Sequence, residues 1–587
     1  MAREVEWRVH AKRADFNGIA KNLGISPVMA RVLVNRDLDT DEKREYYLYG
    51  SMDSIPSAGK MYGMKEATAL LLQKIREKKS IRIISDYDVD GVTSNYILYD
   101  GLRRLGADVS YDIPDRIRDG YGMNVRLVEE AKKDGVDTLL TCDNGISAFE
   151  AVDRAKELGM TVIVTDHHQM QEKLPVADVV VDPWQPLCTY PYKTICGAEV
   201  AFKLMGLLFE ESGRTDMPKD YTVFAALGTV CDVMPLTEEN RILVREGMRL
   251  MPLTENTGLR ALLDETGLLD GRKITVYHLG FIVGPCINSE GRLSSAKESM
   301  RLFLTEDEEE ARKCAAEMKS LNDERKDATR KGEEEALRII EEQGYFEKDK
   351  VLLVYIPDLH ESLAGIVAGR VREVYYRPVI VFTDAEDGNN ILKGSGRSIE
   401  GYNIFEALSS AKDRILHFGG HPMAAGLSIS KEELEPLREQ LNREAVLTEE
   451  QLVERVFIDV PMPISYASLD LAEQLEQLEP FGTGNPKPVF AERGLQLESI
   501  RSFANGRMVQ LALRDEKGNR VYVKSFRGEA LINDIKMWSD MQECAKIEKY
   551  PKLDIMYQLS VNEFRGDRTA ECQIIHYRKT AEEKETV

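Results

Sequence analysis

Long hydrophobic runs, paired cysteines and a basic excess are all missing from this sequence of 587 residues. No stretch approaches the ~18 uninterrupted apolar residues of a membrane-spanning helix, and the first eight residues are charged where a signal peptide would be apolar. We therefore expect a cytoplasmic protein that does not enter a membrane. The eight cysteines form no C-x-x-C pair, which argues against a zinc site or a disulfide framework.

The formal net charge of −22 at first sight disfavours a nucleic-acid partner, because phosphate binding usually requires a basic surface. The charge is unevenly distributed, since residues 491–587 hold 17 Lys and Arg against 16 Asp and Glu. Carboxylates that bind metal ions also inflate the formal charge, because bound cations neutralise them. The C-terminal region is thus the least acidic candidate for contact with nucleic acid.

Three short acidic motifs each follow an apolar, β-branched run. They are Asp86-Tyr87-Asp88-Val89-Asp90-Gly91, Thr141-Cys142-Asp143-Asn144-Gly145 and Thr165-Asp166-His167-His168. Helical patterns separate them, and this β-α-β alternation predicts a doubly wound parallel sheet. Ligands bind such sheets beyond the carboxyl ends of the strands, so we expect all three motifs at one edge.

Carboxylates and imidazoles gathered in this way favour divalent metal ions. A fourth carboxylate, Asp232, ends the apolar stretch that begins at Ala225. Together the motifs predict a dinuclear site with ions ~3.5–4 Å apart. The alternative is that each Asp merely caps a helix or forms a turn, as strand-end Asp residues often do. Four motifs in register, with adjacent His residues, favour the metal site.

The remaining chain divides by pattern. We expect an N-terminal helical cap (1–75), the metal-binding α/β domain (76–300), a long connector helix (301–345), a second α/β domain (346–450) and a small β-barrel (455–587). The fold class is therefore α/β, with two α/β domains joined by a helix and followed by the barrel.

Two glycine-rich segments of the second α/β domain, Lys393–Ser398 and Phe418–Gly426, are interpreted as turns whose backbone N–H groups, with Arg, Ser and His, could bind phosphate. Ordinary hairpin turns are the alternative, and neither segment matches a Walker or dinucleotide motif. His360-Glu361 suggests a zinc peptidase, but Ala364 occupies the position of the second His.

In the barrel, three rings could stack on the bases of a single strand: Phe503, Tyr522 and Phe526. Aromatic residues at such spacings are more often part of a core, and the sequence alone leaves both interpretations open.

The four acidic motifs in this order resemble those of the DHH phosphoesterase superfamily, and most of the chain is similar to the RecJ single-stranded-DNA exonucleases. The resemblance extends to Tyr121-Gly122, to Cys196-Gly197-Ala198 and to the loop Pro480–Pro486. It implies a DHH domain, a DHHA1-like domain and an OB-like single-strand-binding barrel.

The resemblance also implies roles for particular residues. Metal ligands would be Asp86, Asp88, Asp90, Asp143, His167 and Asp232, and His168 would face the scissile phosphate as a further catalytic residue. Substrate contacts would come from Arg116, Asn288, Arg292, Ser395, Gly396, Arg397, Gly419, Gly420 and His421. Two divalent ions are expected, and the His ligand favours Mn²⁺ over Mg²⁺.

The activity implied is 5′-to-3′ hydrolysis of single-stranded DNA to mononucleotides, in DNA repair and recombination. No protein nucleophile is needed, and the leaving oxygen would take a proton from water or His168. A cleft between the two α/β domains would be too narrow for a duplex. The protein is expected to be a monomer, and by resemblance alone to cooperate with a helicase and a single-strand-binding protein.

The chain also departs from the family pattern Gly-Pro-Arg-Ile-Asn-Ala-Ala-Gly-Arg-Leu. Cys286 replaces its first Arg, and Ser289-Glu290 replace the alanines, whereas Asn288 and Arg292 are kept. Two alternatives therefore stay open. One is a phosphodiesterase of short oligonucleotides or cyclic dinucleotides, and the other is a DNA-binding scaffold with little catalysis.

Overall fold

The computed structural model describes residues 5–115, 120–170, 173–293, 296–385, 390–503, 506–538, 550–564 and 566–581, except for the side chains of residues 290–293 and 564. In these ranges, no helix is long and apolar enough to cross a membrane.

The N-terminal region begins with a strand. β1 (Val5–Val9) runs parallel to residues 454–458, which lie near the start of the barrel region. Three helices follow: α1 (Phe16–Leu23), α2 (Pro27–Asn35) and α3 (Asp41–Tyr49). Asp15, Ser26 and Thr40 cap their first turns through side-chain oxygens, as the sequence patterns predict. The interpretation of this region as a purely helical cap was wrong for β1, because a single edge strand is recognisable only from its distant partner.

The metal-site domain (residues 64–304) is built on a five-stranded parallel sheet. In chain numbering, the spatial order of its strands is β3-β2-β4-β5-β6. Its strands are β2 (Ser80–Ser85), β3 (Asp108–Asp112), β4 (Thr138–Cys142), β5 (Thr161–Thr165) and β6 (Val179–Val181). The first helices are α4 (Met64–Arg76), α5 (Val89–Arg104), α6 (Val125–Lys133) and α7 (Phe149–Glu157). The central strands are apolar along their length because helices cover both faces.

The rest of this domain is helical. Its elements are α8 (Gly197–Glu211), α9 (Asp220–Cys231), α10 (Glu238–Leu250), α11 (Thr257–Glu265), α12 (Val276–His278), a π-helical turn (Leu279–Val283), α13 (Gly284–Leu293) and α14 (Lys297–Leu304). Helices α5, α8 and α9 pack together beside the sheet and bury a large apolar core.

The connector is one helix, α15 (Glu308–Gln343), of 36 residues, which confirms the predicted long helix. Asp307 caps its start, and Gly344 ends it in the left-handed conformation. Ala315 and Met318 pack into the metal-site domain, whereas Ala336 and Ile340 pack into the next domain. The two domains are therefore held at opposite ends of one rigid rod. A short helix, α16 (Tyr345–Lys348), follows.

The second α/β domain has a mixed sheet in the order β10-β11-β9-β8-β7. Its elements are β7 (Leu352–Tyr355), α17 (Glu361–Tyr375), β8 (Val379–Asp384), β9 (Ile391–Arg397), α18 (Ile404–Ser410), β10 (His417–His421), β11 (Ala424–Ser430) and α19 (Leu434–Glu444). The first glycine-rich segment is a strand and not a turn, since Gly394 and Gly396 lie in β9, between β8 and β11. Glycine is needed there because Phe382 and Leu427 cover Gly394. The second glycine-rich segment is the hairpin of β10 and β11, with its turn at Pro422-Met423.

The C-terminal region contains β12 (Glu454–Ile458), β13 (Val460–Pro461), α20 (Leu469–Glu476), β14 (Phe490–Phe503), β15 (Met508–Arg514), β16 (Arg520–Ser525), α21 (Gly528–Trp538), β17 (Lys552–Phe564) and β18 (Asp567–Lys579). Strands β14 to β18 close into a five-stranded barrel, because β14 pairs with both β15 and β17 and β16 pairs with β18. This confirms the predicted OB-like barrel, whereas β12 pairs with β1 and lies outside it.

Candidate metal centre and substrate cleft

Four loops converge at the carboxyl edge of the parallel sheet. Strands β2, β4 and β5 end immediately before Asp86, Asp143 and Asp166, and Ser85 lies beside Cys142 in the sheet register. Asp232 arrives from a different direction, as the residue that ends helix α9. The strand order therefore collects residues from separate parts of the sequence at one place.

His167 lies at the centre of the resulting cluster. Its Nε2 atom is 3.0 Å from Oδ1 of Asp143 and 3.6 Å from Oδ2 of both Asp90 and Asp232. A second group, Asp86, Asp88 and Asp143, offers oxygens that all lie within 4.8 Å of one another. Asp143 belongs to both arrangements, so it occupies the bridging position between them.

Main-chain donors hold the carboxylates in place. Oδ2 and Oδ1 of Asp90 accept hydrogen bonds from the N–H groups of Gly197 and Ala198, at 2.6 and 2.9 Å, where helix α8 begins. Asp88 caps helix α5 by accepting from Gly91 N at 3.0 Å. Capping and metal binding are therefore compatible roles here, because each carboxylate oxygen keeps a second lone pair after it accepts one hydrogen bond.

Gly197 is required by close packing. A Cβ atom at this position would lie only 2.6 Å from Cβ of Asp143. Any larger residue would push the start of α8 away from the cluster and withdraw the donors to Asp90.

Asp166 supports the loop, and one of its oxygens also lies within 4.8 Å of ligand atoms of Asp143, His167 and His168. Its Oδ2 accepts from Ile146 N at 2.9 Å, and its Oδ1 lies 2.7 Å from Nδ1 of His168. The Tyr121 hydroxyl donates to the carbonyl oxygen of Asp143 at 2.9 Å and lies 3.2 Å from Nδ1 of His168. These contacts fix His168 at the edge of the cluster, with its side chain partly exposed.

Burial and mutual repulsion shift the proton affinities. Burial, followed by the charges of Asp90 and Asp88, raises the pKa of Asp143 well above its usual range. The same causes raise the pKa of Asp232 to about 8. Burial lowers the pKa of His167. For His168, burial acts in the lowering direction, but the hydrogen bond to Asp166 and the charges of Asp166, Asp232 and Asp90 together outweigh it and raise the pKa to about 9.

These residues fit two divalent cations. The donor set is carboxylate oxygen with one imidazole nitrogen, which suits Mn²⁺ and Mg²⁺. The Oδ2 atom of Asp232 is buried and finds no hydrogen-bond partner among the described residues. So many buried carboxylates can stay ionised together only if cations lie among them.

A cavity of about 760 Å³ opens above the cluster. One side consists of metal-site-domain residues, including Tyr121, Asn144, His168 and Trp184. His421, from β10 of the second α/β domain, closes the other side. The cavity is therefore a cleft between the two domains, with the cluster at its base.

Other predicted substrate residues lie in the second domain. Two of them, Ser395 and Gly419, line another cavity of about 370 Å³ together with Lys393. The side chains of Ser395 and Arg397 both converge on Gly365 of α17, where a Cβ would lie 2.8 Å from Ser395 Oγ and from Arg397 Nη2. Burial, with the nearby charge of Arg372, lowers the pKa of Arg397. Gly420 lies beside His421 on β10, whereas Gly396 is buried within the sheet.

Two predicted contacts, Arg116 and the side chain of Arg292, lie outside the described residues. Asn288 lies on α13 and is partly exposed. Cys286, on the same helix, is buried against the connector, where Asn322 Nδ2 lies 3.3 Å from its sulfur. Cys286, which replaces an Arg of the family pattern, is therefore packed between α13 and the connector helix α15.

Sequence reasoning assigned no role to Tyr121, to Asp166 or to Asp182. Asp182 follows β6 and is buried, with Oδ1 accepting from Trp184 N at 2.6 Å. Burial, followed by the charge of Asp166, raises its pKa to about 8. The run Val179-Val180-Val181-Asp182 repeats the pattern of an apolar strand followed by Asp, so this signal was present in the sequence.

Fold and site together define the class. Residues 80–229 match the DHH family, N-terminal domain, residues 348–446 match the DHHA1 domain, and residues 458–576 match the RecJ OB domain. The protein is thus a DHH-superfamily phosphoesterase with a second α/β domain and an OB barrel.

Comparison with individual proteins narrows this further. The single-stranded-DNA-specific exonuclease RecJ of Bacillus subtilis is 34% identical over 98% of this chain and 71% of its own length. The Escherichia coli RecJ is 32% identical over 94% of this chain and 95% of its own. The crystal structure of Thermus thermophilus RecJ with Mn²⁺ superposes with a TM-score of 0.81 and 30% identity, and covers 99% of this chain and 81% of its own. The chain belongs to the RecJ family.

Proposed function

We propose that this protein is a metal-dependent exonuclease that hydrolyses single-stranded DNA from the 5′ end to mononucleotides, in DNA repair and recombination. The observation that supports this best is the cluster of Asp and His side chains at the base of a cleft that His421 closes from the second domain. Relatives that align with nearly the whole chain are named single-stranded-DNA-specific exonucleases.

The chain's own residues divide the work of hydrolysis. Asp86, Asp88, Asp90, Asp143, His167 and Asp232 would hold two divalent ions, which supply an activated water and offset the negative charge that develops on phosphorus. His168, oriented by Asp166, is the group at the cleft that can contact the reacting phosphate or donate a proton to the leaving oxygen.

Substrate phosphates would be bound from the opposite side of the cleft. His421 faces the cluster across the cavity. Arg397 lies two strands away on β9, in register with Ala424 of β11, which pairs with His421. Arg397 donates to Ser395 Oγ and Gly396 O, and no acidic side chain pairs with it among the described residues. An unneutralised, half-buried guanidinium is suited to a terminal phosphate.

Arg397→Ala should therefore weaken capture of a 5′-phosphorylated strand by ~1.5–3 kcal/mol, the range for hydrogen bonds to charged groups. The measurement is KM for strands with and without a 5′-phosphate. The strand without phosphate serves as the control, because its KM should change little. Equal losses on both strands would contradict a role for Arg397 at the 5′-phosphate.

The barrel supports a strand as the substrate. Tyr522 on β16 and Phe526 just beyond it are 52% and 56% exposed, so these two rings are not core residues. Arg520 lies over the Tyr522 ring, at 5.6 Å from its centroid. Exposed rings beside cations are the usual means by which OB barrels bind single strands.

The test is digestion of a long single strand, labelled separately at each end, with Mn²⁺ and with a matching duplex as control. Release of labelled mononucleotide from the 5′ end alone would support the proposal. Cleavage of only the shortest strands would replace it with an oligonucleotide phosphodiesterase, and binding without cleavage would replace it with a scaffold.

A cytoplasmic location, a monomeric state and cooperation with a helicase and a single-strand-binding protein are further parts of this proposal. The helicase and the single-strand-binding protein rest on family resemblance alone. Sedimentation of the purified protein tests the monomer, and acceleration of digestion by an added helicase on duplex DNA tests the cooperation.

A further inference from the structure

Two aromatic rings stack on each other at the surface of the metal-site domain. Tyr277, on α12, and Phe281, on the π-helical turn that follows, have ring centroids 5.2 Å apart and planes inclined by only 19°. Their side chains are 61% and 66% exposed. Two large rings left in water and already parallel present a flat apolar surface, and such a surface normally meets a ligand.

One end of this segment contacts the helix that carries a predicted metal ligand. The Cys231 thiol lies 3.7 Å from the carbonyl oxygen of Leu279, and Cys231 directly precedes Asp232. A Cβ on Gly280 would lie 3.5 Å from Cγ1 of Val230, so the π-helical turn packs directly on the last turn of α9. The aromatic pair is therefore attached to the element that delivers Asp232.

The other end contacts the loop that leads into the barrel. A Cβ on Gly482 would lie 2.7 Å from Cδ1 of Leu236 and 3.6 Å from Cγ1 of Val276. Val276 directly precedes Tyr277. The segment that carries the pair thus packs both on α9, which delivers Asp232, and on the loop that leads into the barrel.

The local backbone is unusual on both sides of this contact. A π-helical turn replaces regular α-helix at residues 279–283, and such turns are frequent at functional sites. Val233, next to Asp232, has a φ of 59°, which is strained for a β-branched residue, and it is 65% exposed. Backbone strain of this kind clusters at active sites and ligand-binding positions, so it is a further reason to look for a ligand at this surface.

We propose that Tyr277 and Phe281 form a base-stacking platform for the single strand as it passes from the barrel to the metal centre. The inference rests on the proposed function and adds a binding position to it. Every base presents a π-face, so stacking holds a strand without reading its sequence, as an exonuclease of general specificity requires. The free face of the stacked pair would accept one nucleobase.

The test removes the base and the ring separately. Strands carry one abasic residue at successive positions from the 5′ end, and kcat/KM for release of the first nucleotide is measured with Mn²⁺. In the parent protein, one position should show a loss of about fivefold or more, the effect of losing one stack. In Phe281→Leu and Tyr277→Leu, kcat/KM for strands without an abasic residue should fall by a similar factor, through a higher KM. The additional loss that an abasic residue causes at that position in the parent protein should then disappear.

Two variants serve as controls. Phe281→Trp keeps a stacking ring and should keep the positional penalty, and Tyr49→Leu removes an equally exposed ring from α3 and should change nothing. Calorimetric titration should give the same Mn²⁺ stoichiometry in Phe281→Leu, which excludes damage to α9. An undiminished penalty in both leucine variants would overturn the platform. A parent that digests no strand at all would instead overturn the proposed function.

Discussion

Asp143 is the residue on which the proposed metal centre depends most. It is the only carboxylate that the described residues place in both groups of converging ligands, and its backbone adopts a φ of 59°. That conformation is uncommon outside glycine, and Asp tolerates it better than most residues. The Tyr121 hydroxyl, bound to its carbonyl oxygen, holds the backbone in this position.

Asp143→Asn should lower cleavage by more than ~100-fold, because even residues behind the ligands usually contribute 10–100-fold to metal sites. Single-turnover digestion measures the loss, and titration calorimetry should show fewer bound Mn²⁺ ions. Asp153→Asn, at an exposed position on α7, is the matched control and should leave both unchanged. Full activity in Asp143→Asn would remove this residue from the bridging position.

Among single residues, the sequence predicted the proposed ligands that directly follow an apolar run. It missed the residues that position those ligands through contacts. Asp86, Asp143 and Asp232 were recognisable because apolar runs precede them. The supporting role of Asp166 was not, because its carboxylate turns back towards Ile146 and His168, and only coordinates show that direction. Tyr121 was visible as part of a motif, but its contact with His168 depends on a loop that packs across the sheet edge.

Among the elements, helix α15 sets the distance between the two sides of the cleft. Gly332 is buried where α15 crosses α17, and a Cβ there would lie 2.9 Å from Leu359 and 3.1 Å from Val367. The glycine therefore permits the close approach of the two helices. His421 belongs to the domain that α17 helps to build, so its position over the cluster depends on this crossing.

Gly332→Val should force α15 and α17 apart and destabilise the protein by ~1–3 kcal/mol, the usual cost of overpacking. The expected result is a fall in kcat/KM with unchanged Mn²⁺ binding, since the metal-site domain itself is untouched. Lys331→Val changes helix propensity at an exposed neighbour and serves as the control. If Gly332→Val and Lys331→Val lowered kcat/KM equally, the cause would be the lower helix propensity of valine and not the packing of α15 against α17.

A partly buried ion pair joins α4 to the residue before β4. Lys74 donates to Asp137, with side chains 11% and 29% exposed. Burial tends to raise the pKa of Asp137, but the hydrogen bonds from Lys74 and Thr138 and the lysine charges together outweigh it and lower the pKa. Because the folded-state pKa of Asp137 is lowered, the pair stabilises the fold at pH values above the unfolded-state pKa of ~3.9. This stabilisation is lost as the pH falls through the folded-state pKa.

Lys74→Met should therefore lower the free energy of unfolding at pH 7 by roughly 0.5–1 kcal/mol, because the pair is partly screened by solvent. Urea unfolding at pH 7 and at pH 4 measures the difference between parent and variant. The difference in the free energy of unfolding between parent and variant should start to shrink near pH 4, because Asp137 begins to be protonated there in the unfolded chain. A constant difference across this range would assign the effect to packing of the lysine stem.

For the whole molecule, the sequence predicted which domains exist but not how the two ends of the chain meet. The period of the hydrophobic residues and the glycine positions are local signals, and they were sufficient for the parallel sheet, the connector and the barrel. Helix α2 shares a core with the barrel through Met29, Val32 and Leu33, and β1 pairs with β12. These contacts join residues far apart in sequence, so no local pattern contains them.

Arg241 is the residue that unites these regions. It is 1% exposed on α10, with Nε donating to Tyr47 O at 3.0 Å and Nη1 and Nη2 donating to Leu478 O and Gln477 O at 2.8 and 2.7 Å. Its guanidinium also lies 4.0 Å from the centroid of the Tyr47 ring. One side chain thus joins the metal-site domain, the N-terminal helices and the segment that leads into the barrel.

Arg241→Met should remove this donor from Tyr47 O and Gln477 O, whereas Leu478 O keeps the donors Tyr47 and Asn485. At ~1–3 kcal/mol for a buried acceptor left unsatisfied, we expect a loss of about 2 kcal/mol or more. Because the contacts lie between regions, thermal unfolding should separate into two transitions, with the barrel and N-terminal helices released first. Arg249→Ala, on the same helix but paired with Glu246 at the surface, should change stability by less than about 0.5 kcal/mol. A single transition with the parent's midpoint in Arg241→Met would show that the regions are held together by their shared apolar core and not by this guanidinium.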